Sequence, residues 1–241
     1  MQRLLDTLEA AMTRCPRQDH RTVIVHFGFA TDEQIARAAR LGAIISTNPY
    51  YVTTLAGRYA ELGIGPERAT NMVPLQRVMA NKISVSLHSD MPMSPAKPLL
   101  LVLAAVNRVT SEGYVAGPQH KMPVDLAMRG ITTEAADSIR LEDRIGSITP
   151  GKDANLTVLE HSPWAVEPAE IKIIKIWGTM LEGRVQPVGG GPILRNAVPA
   201  RPDDSRLAEA TLLHVLQFAS HDHCLGGGVT QRPQLQGLWQ R

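Results

Sequence analysis

Short apolar runs that end at a polar residue recur along the first part of the chain. Residues 22–25 lead to His26, residues 43–47 lead to Asn48, and residues 83–89 lead to Asp90. Runs of this length that are rich in Val and Ile are typical of buried β-strands. Because a parallel sheet presents its chemistry where such strands end, the pattern predicts a functional edge that carries His26 and Asp90.

Apolar residues at helical spacing separate these runs. Residues 1–9 have this spacing, Thr31 or Asp32 can cap a helix that runs to about Leu41, and loop and helix follow through residue 78. Helices that alternate with strands predict an α/β fold with a parallel sheet. An eight-stranded β/α barrel needs about 250 residues, so residues 1–143 are predicted to form only the last three strands of a partial TIM-type barrel.

The pattern changes after residue 143. Turn residues precede an alternating run that ends at Leu159, and two further strands are predicted at residues 171–177 and 180–185, at the spacing of a hairpin. Residues 144–188 are therefore predicted to form a small β appendage.

Residues 189–241 begin with a glycine- and proline-rich linker, and residues 206–220 predict one amphipathic helix in this tail.

Composition narrows the functional class. The formal net charge is only +2, and Lys and Arg residues do not cluster along one face. We therefore expect a small-molecule substrate rather than a nucleic-acid partner. The longest apolar stretch, residues 99–106, is far shorter than the roughly 20 residues of a membrane span. Two cysteines, far apart in sequence, do not predict a disulfide framework, so a cytoplasmic location is the default expectation.

His26 and Asp90 are the candidate chemical groups. Imidazole is the commonest protein ligand for zinc, and a carboxylate after a strand as apolar as residues 83–89 is costly to bury unless it is paired or coordinated. Each residue also has a structural interpretation. His26 can be a structural histidine whose hydrogen bonds are satisfied within the fold, and Ser89 or Asp90 can cap the helix that follows Pro92.

His88 is a third candidate, because two residues separate it from Asp90 and strand alternation places both on one face. It can orient the substrate, or it can hydrogen-bond to a metal-bound water or to a metal ligand without binding the metal itself. It can also form an ion pair with Asp90. The cluster at residues 221–224 also contains ligand types, but a glycine run follows it, so we expect no fixed metal geometry there.

Several motifs, in order, resemble the C-terminal half of the metal-dependent amidohydrolase superfamily, in the branch that includes N-substituted formamide deformylases. The similarity covers residues 1–188, and its most specific part is the Ile-Gly-Ser-Ile stretch that starts at Ile145 and continues to Leu156. The matching segments are residues 25–26, 31–37, 41–42, 47–49, 87–90 and 145–156.

The resemblance implies that His26 is a metal ligand and that Asp90 both contacts the metal and acts as general base. It also implies one or two divalent metal ions, zinc by expectation, and hydrolysis of a carbon–nitrogen bond other than a peptide bond. The closing strands near residues 178–185 are expected to belong to a composite β-sandwich. His88 stands where the branch often has glycine, and Asn155 stands where aspartate is usual.

The same resemblance implies ligands that should precede Met1, namely a first-strand His-x-His, a bridging lysine or carboxylate, and a fifth-strand histidine. Because His26 and Asp90 alone are fewer than the three protein ligands of a catalytic zinc, we expect this chain not to be a competent enzyme by itself. A longer protein, or a second chain that completes the barrel, is expected. The alternatives are a non-catalytic interaction protein and a deaminase of the same superfamily.

Overall fold

A three-stranded parallel sheet lies at the centre of the computed structural model, which describes residues 1–188. Its order is β1 (Val23–His26), β2 (Ile44–Thr47) and β3 (Val85–Leu87). The register pairs His26 with Thr47 and Thr47 with Leu87, so the three strands end at the same edge. The predicted α/β fold and its parallel strands are confirmed for the described residues.

The helices pack around this sheet and close the main hydrophobic core, with Ile45 of β2 fully buried at its centre. α2 begins where the sequence predicts, because Thr31 and Gln34 form a reciprocal capping box at its first turn. The helices of the described residues are α1 (Gln2–Arg14), α2 (Asp32–Arg40), α3 (Tyr50–Leu62), α4 (Pro66–Thr70), α5 (Leu75–Ala80), α6 (Pro98–Asn107), α7 (Val124–Gly130) and α8 (Thr133–Ser138).

Arg108, at the end of α6, is hydrogen-bonded to the end of α4 and to the segment that follows it. Its side chain is fully buried and donates hydrogen bonds to the backbone carbonyls of Thr70, Met72, Val73 and Ala116. Burial lowers the pKa of Arg108 to about 10, so the guanidinium stays charged at neutral pH. A buried cation that satisfies carbonyl oxygens in this way stabilises the polar backbone that a loop would otherwise leave unpaired.

A second sheet, which is antiparallel, follows the helices. Its strands are β4 (Leu156–Leu159), β5 (Ile176–Leu181) and β6 (Arg184–Pro187), with β5 in the middle. The predicted strand at residues 171–177 is largely wrong, because Pro168–Ile173 form a 3₁₀-helix. The hairpin turn lies at Glu182 and Gly183, both with positive φ, rather than near residue 178 as the sequence pattern suggested.

The division of the chain at residue 143 into a barrel part and a β appendage stays a prediction. The predicted linker, the amphipathic helix at 206–220 and the cluster at 221–224 lie outside the described residues. No helix within residues 1–188 combines the length and apolar character needed to cross a bilayer.

His120 gives the fold a pH-dependent stability. Its side chain is buried in a 3₁₀-turn, where its Nε2 donates to Oδ1 of Asn71, and burial together with nearby Arg108 and Arg77 lowers its pKa to about 4, against a smaller opposing effect of Asp32. The unfolded chain, in which the pKa is near 6.5, therefore takes up this proton at higher pH than the folded chain. Stability that is present above pH ~6.5 is lost as the pH falls toward ~4.

We expect this loss to amount to about 2–3 kcal/mol of the free energy of unfolding. Urea unfolding at a series of pH values between ~7 and ~4 measures it, and His120→Gln, which keeps a donor for Asn71 but cannot titrate, should lose correspondingly less. An equal pH dependence of the unfolding free energy in the two proteins would show that folding does not lower the pKa of His120.

Candidate active site

The common edge of β1, β2 and β3 brings together the three side chains that the sequence singled out. His26 ends β1, while His88 and Asp90 follow β3. The Nε2 atom of His88 lies 3.4 Å from Nδ1 of His26, and that Nδ1 lies 3.8 Å from Oδ2 of Asp90. About half of the His26 side chain and two-fifths of the Asp90 side chain are exposed, so both groups are open to a ligand.

The backbone that presents these groups is strained. His26 (φ +70°), Phe27 (φ +40°) and Asp90 (φ +53°) all have left-handed backbone conformations. Each such residue costs on the order of 1–3 kcal/mol unless its surroundings impose the conformation. Backbone strain of this kind is often found at functional sites, and the described residues also have it away from this edge, for example at Val73 and Lys82.

Hydrogen bonds from β2 and the residue after it hold the strained segments in place. The Thr47 hydroxyl donates to the carbonyl oxygen of His26 at 2.8 Å. Asn48 is fully buried, and its Nδ2 donates to the carbonyl oxygen of Ser89 at 2.9 Å while its Oδ1 accepts from the backbone N–H of Tyr50 at 3.0 Å. Asn48 thereby links the residues before Asp90 to the start of α3.

The alternative role of Asp90 as a helix cap is wrong. α6 begins only at Pro98, with Lys97 before it, and a turn closed by the Met93 N–H and the carbonyl oxygen of Asp90 intervenes. Neither Ser89 nor Asp90 caps this helix. The Asp90 carboxylate instead points to side chains at the sheet edge, where a hydrogen bond and an ion-pair contact reach Oδ2.

Tyr51 is a member of the site that the sequence did not reveal. Its hydroxyl oxygen lies 3.0 Å from Nδ1 of His26 and 3.2 Å from Oδ2 of Asp90. Burial raises the pKa of Tyr51, and the hydrogen bond to Asp90 adds to this effect, so the side chain remains a neutral phenol at physiological pH. Tyr51 lies in the first turn of α3, and no strand pattern or motif links it to His26.

His88 makes its closest contacts with Ser46 and His26 rather than with Asp90. Its Nδ1 lies 3.0 Å from the hydroxyl of Ser46, and its ring meets that of His26 edge to face with the centroids 5.2 Å apart. Burial lowers the pKa of His88, and the neighbouring His26 acts in the same direction against a smaller effect of Asp90. A neutral His88 is suited to hydrogen bonding and not to acting as a fixed countercharge to Asp90.

The side chains at this edge include groups that bind divalent metals, but they are too few to form a catalytic zinc site. Imidazole nitrogen and carboxylate oxygen are ordinary zinc ligands. Within residues 1–188, no group of three or more His, Cys, Asp or Glu residues is arranged to hold a metal ion. The described residues therefore supply His26 and Asp90 as a partial ligand set, and a catalytic zinc needs at least one further protein ligand.

Comparison with known sequences finds a family. The sequence model of the amidohydrolase family matches residues 1–186. YtcJ of Bacillus subtilis, named as an amidohydrolase, is 28% identical over 182 residues, which cover 74% of this chain and 34% of YtcJ. N-substituted formamide deformylase of Arthrobacter pascens is 29% identical over 185 residues, which cover 75% of this chain and 33% of the deformylase. The chain thus spans about a third of the length of these relatives.

Comparison with solved structures agrees at the level of the fold. An uncharacterized metal-dependent hydrolase from Pyrococcus horikoshii aligns with a TM-score of 0.55 at 23% identity, over 68% of this chain and 32% of that protein. An identity this low carries information about the fold and not about the reaction. The chemistry has to be argued from the site residues themselves.

Asn48 offers a direct test of how the site is held together. Asn48→Ala leaves the Tyr50 N–H without its partner and the Ser89 carbonyl with only the Ser94 hydroxyl as donor, so we expect a loss of about 1–3 kcal/mol in the free energy of unfolding. Hydrogen exchange at the Met93 amide, which closes the turn at Asp90, should also become faster. Asn81→Ala, at an exposed asparagine that ends α5, is the control. Unchanged exchange at Met93 would show that Asn48 does not order the Asp90 segment.

Proposed function

This chain belongs to the amidohydrolase family, and on that basis we propose that it is part of a metal-dependent hydrolase that cleaves carbon–nitrogen bonds other than peptide bonds. The observation that supports this proposal most is the meeting of His26, Tyr51 and Asp90 at the carboxyl edge of a parallel sheet. In β/α barrels, catalytic side chains come from this edge of several strands.

We propose further that β1, β2 and β3 are the last three strands of an eight-stranded barrel. Both outer strands of the sheet have an unpaired edge among the described residues, and Val25 of β1 is half exposed there. The antiparallel sheet of β4 to β6 also presents apolar side chains to solvent, among them Trp177 and Leu181, as expected for one layer of a β-sandwich. Additional strands, from a longer protein or from a second chain, would cover these surfaces.

In the complete site, His26 and Asp90 would bind a divalent metal, which we propose to be zinc, together with ligands from those additional strands. Such a metal supplies an acidified water and polarises the carbonyl group of the substrate. His26 would bind through the ring nitrogen that Tyr51 leaves available. His88 would lie beside this centre, hydrogen-bonded to Ser46, and contact the substrate or the attacking water.

Asp90 is proposed as the general base. Its Oδ2 accepts the hydrogen bond of Tyr51, while its Oδ1 has no hydrogen-bond partner among the described residues. A carboxylate oxygen that is exposed and unpaired can take a proton from the attacking water. The same oxygen can return that proton to the leaving amine nitrogen, so a single group performs both transfers.

An amide of the formamide type is the proposed substrate class, because the N-substituted formamide deformylase of Arthrobacter pascens is among the relatives. No observation at the site favours a ring amidine, which a deaminase would require. The non-catalytic alternative is also less favoured, because His26 and Asp90 are both partly exposed and meet through the Tyr51 hydroxyl.

The test uses the protein isolated from its own cells through a tag on the natural gene, so that any longer form or partner chain is retained. We expect a divalent metal in the purified protein and release of amine from N-substituted formamides. Asp90→Asn should lower kcat by about 10²–10⁴-fold, the range of general-base catalysis. Asp143→Asn, at an exposed aspartate between α8 and β4, should retain the full rate.

Two results would contradict the proposal. Full activity in Asp90→Asn would remove the assigned base, while ammonia release from ring amidines without any amide hydrolysis would favour the deaminase. A protein that binds neither metal nor substrate would favour the non-catalytic interaction role.

A further inference from the structure

The Tyr51 hydroxyl bridges two groups that do not bond each other directly. It lies 3.0 Å from Nδ1 of His26 and 3.2 Å from Oδ2 of Asp90, whereas those two atoms are 3.8 Å apart. A separation of 3.8 Å is too long for a hydrogen bond. The phenol therefore carries the contact between imidazole and carboxylate.

The donor and acceptor in each of these hydrogen bonds follow from the number of hydrogens that each side chain can donate. An ionised carboxylate only accepts, and a phenol has one hydrogen, so that hydrogen is donated to Asp90. The phenol oxygen can then only accept from His26, which requires the hydrogen of a neutral imidazole to be on Nδ1. The lone pair of His26 is consequently on Nε2, the nitrogen that faces away from the phenol.

His88 is compatible with this assignment. If its Nδ1–H donates to the Ser46 hydroxyl at 3.0 Å, its Nε2 presents a lone pair to the Nδ1–H of His26 at 3.4 Å. In this arrangement the single Nδ1–H of His26 is shared between the Tyr51 oxygen and Nε2 of His88, while the bonds from His88 to Ser46 and from Tyr51 to Asp90 each have their own hydrogen. The bond to Tyr51 is the shorter of the two that reach Nδ1 of His26 and is the one expected to decide the tautomer.

We propose that Tyr51 is a positioning residue, which fixes His26 in the Nδ1–H tautomer and so presents its Nε2 lone pair to a metal ion. The tautomer of His26 does not depend on the proposed function, but the role of Nε2 as a metal ligand rests on that function. Ligand histidines in metal sites generally donate their other ring N–H to a neighbouring group, and loss of that group weakens metal binding by 10–100-fold. Tyr51 supplies such a group from α3.

The first readout is the tautomer of His26, measured by long-range ¹H–¹⁵N correlation of histidine-labelled protein without metal, near pH ~8 where imidazoles are neutral. The His26 signals are identified by their loss in His26→Gln. We expect the Nδ1–H form in the wild type and in Tyr50→Phe, which changes the adjacent tyrosine in α3. Tyr51→Phe should shift the population toward Nε2–H.

Asp90→Asn is a second variant that keeps the phenol. Its amide group can donate to the Tyr51 oxygen, which frees the phenol hydrogen for Nδ1 of His26, so this variant should also favour Nε2–H. A wild type that already has the Nε2–H tautomer, or two variants that leave the tautomer unchanged, would overturn the proposal.

The second readout is calorimetric titration of the complete protein, isolated from its own cells and stripped of metal, with Zn²⁺ alone. Tyr51→Phe should bind zinc 10–100-fold more weakly than wild type and Tyr50→Phe, whereas unchanged or tighter binding would contradict a positioning role. The two readouts separate the two proposals. If no protein binds zinc but the tautomers follow the expectation, the hydrogen-bond assignment stands and the metal site of the proposed function fails.

Discussion

The in-register ending of three parallel strands is the constraint on which the site depends. Because His26 pairs with Thr47 and Thr47 pairs with Leu87, the segments that follow β1, β2 and β3 leave the sheet side by side. A shift of one residue in either pairing would turn His26 or Asp90 toward the opposite face. The burial of Ile24, Ile45 and Val85 against the helices opposes any such shift.

β2 carries none of the candidate groups, yet it organises the groups on both sides. Thr47 and Asn48 are buried polar residues whose hydrogen bonds go to the backbone near His26 and Asp90, and the helix that follows them brings Tyr51 to the same place. Buried polar groups of this kind are costly unless every bond is made. Their satisfaction therefore restricts the geometry of the site, and the left-handed backbone at His26 and Asp90 is maintained by it.

Local signals were enough to predict β1, β2 and β3 and the first turn of α2. The runs before His26 and Asp90 are short and rich in β-branched residues, and the Thr31 capping box is formed by neighbours in sequence. The strand predicted over Ile171 and Ile173 was wrong, because Pro168 starts a 3₁₀-helix whose apolar residues also alternate over a few positions. Tyr51 could not be predicted, since its contact with His26 depends on how α3 packs after β2.

The central claim is that His26 and Asp90 serve as ligands of one metal centre in the complete protein. Anomalous X-ray scattering at the zinc absorption edge, from crystals of the protein isolated from its own cells, tests this claim most directly. The account predicts a peak about 2.0–2.2 Å from a ring nitrogen of His26 and from a carboxylate oxygen of Asp90. A peak elsewhere, with Tyr51 still bridging an empty pair, would contradict it.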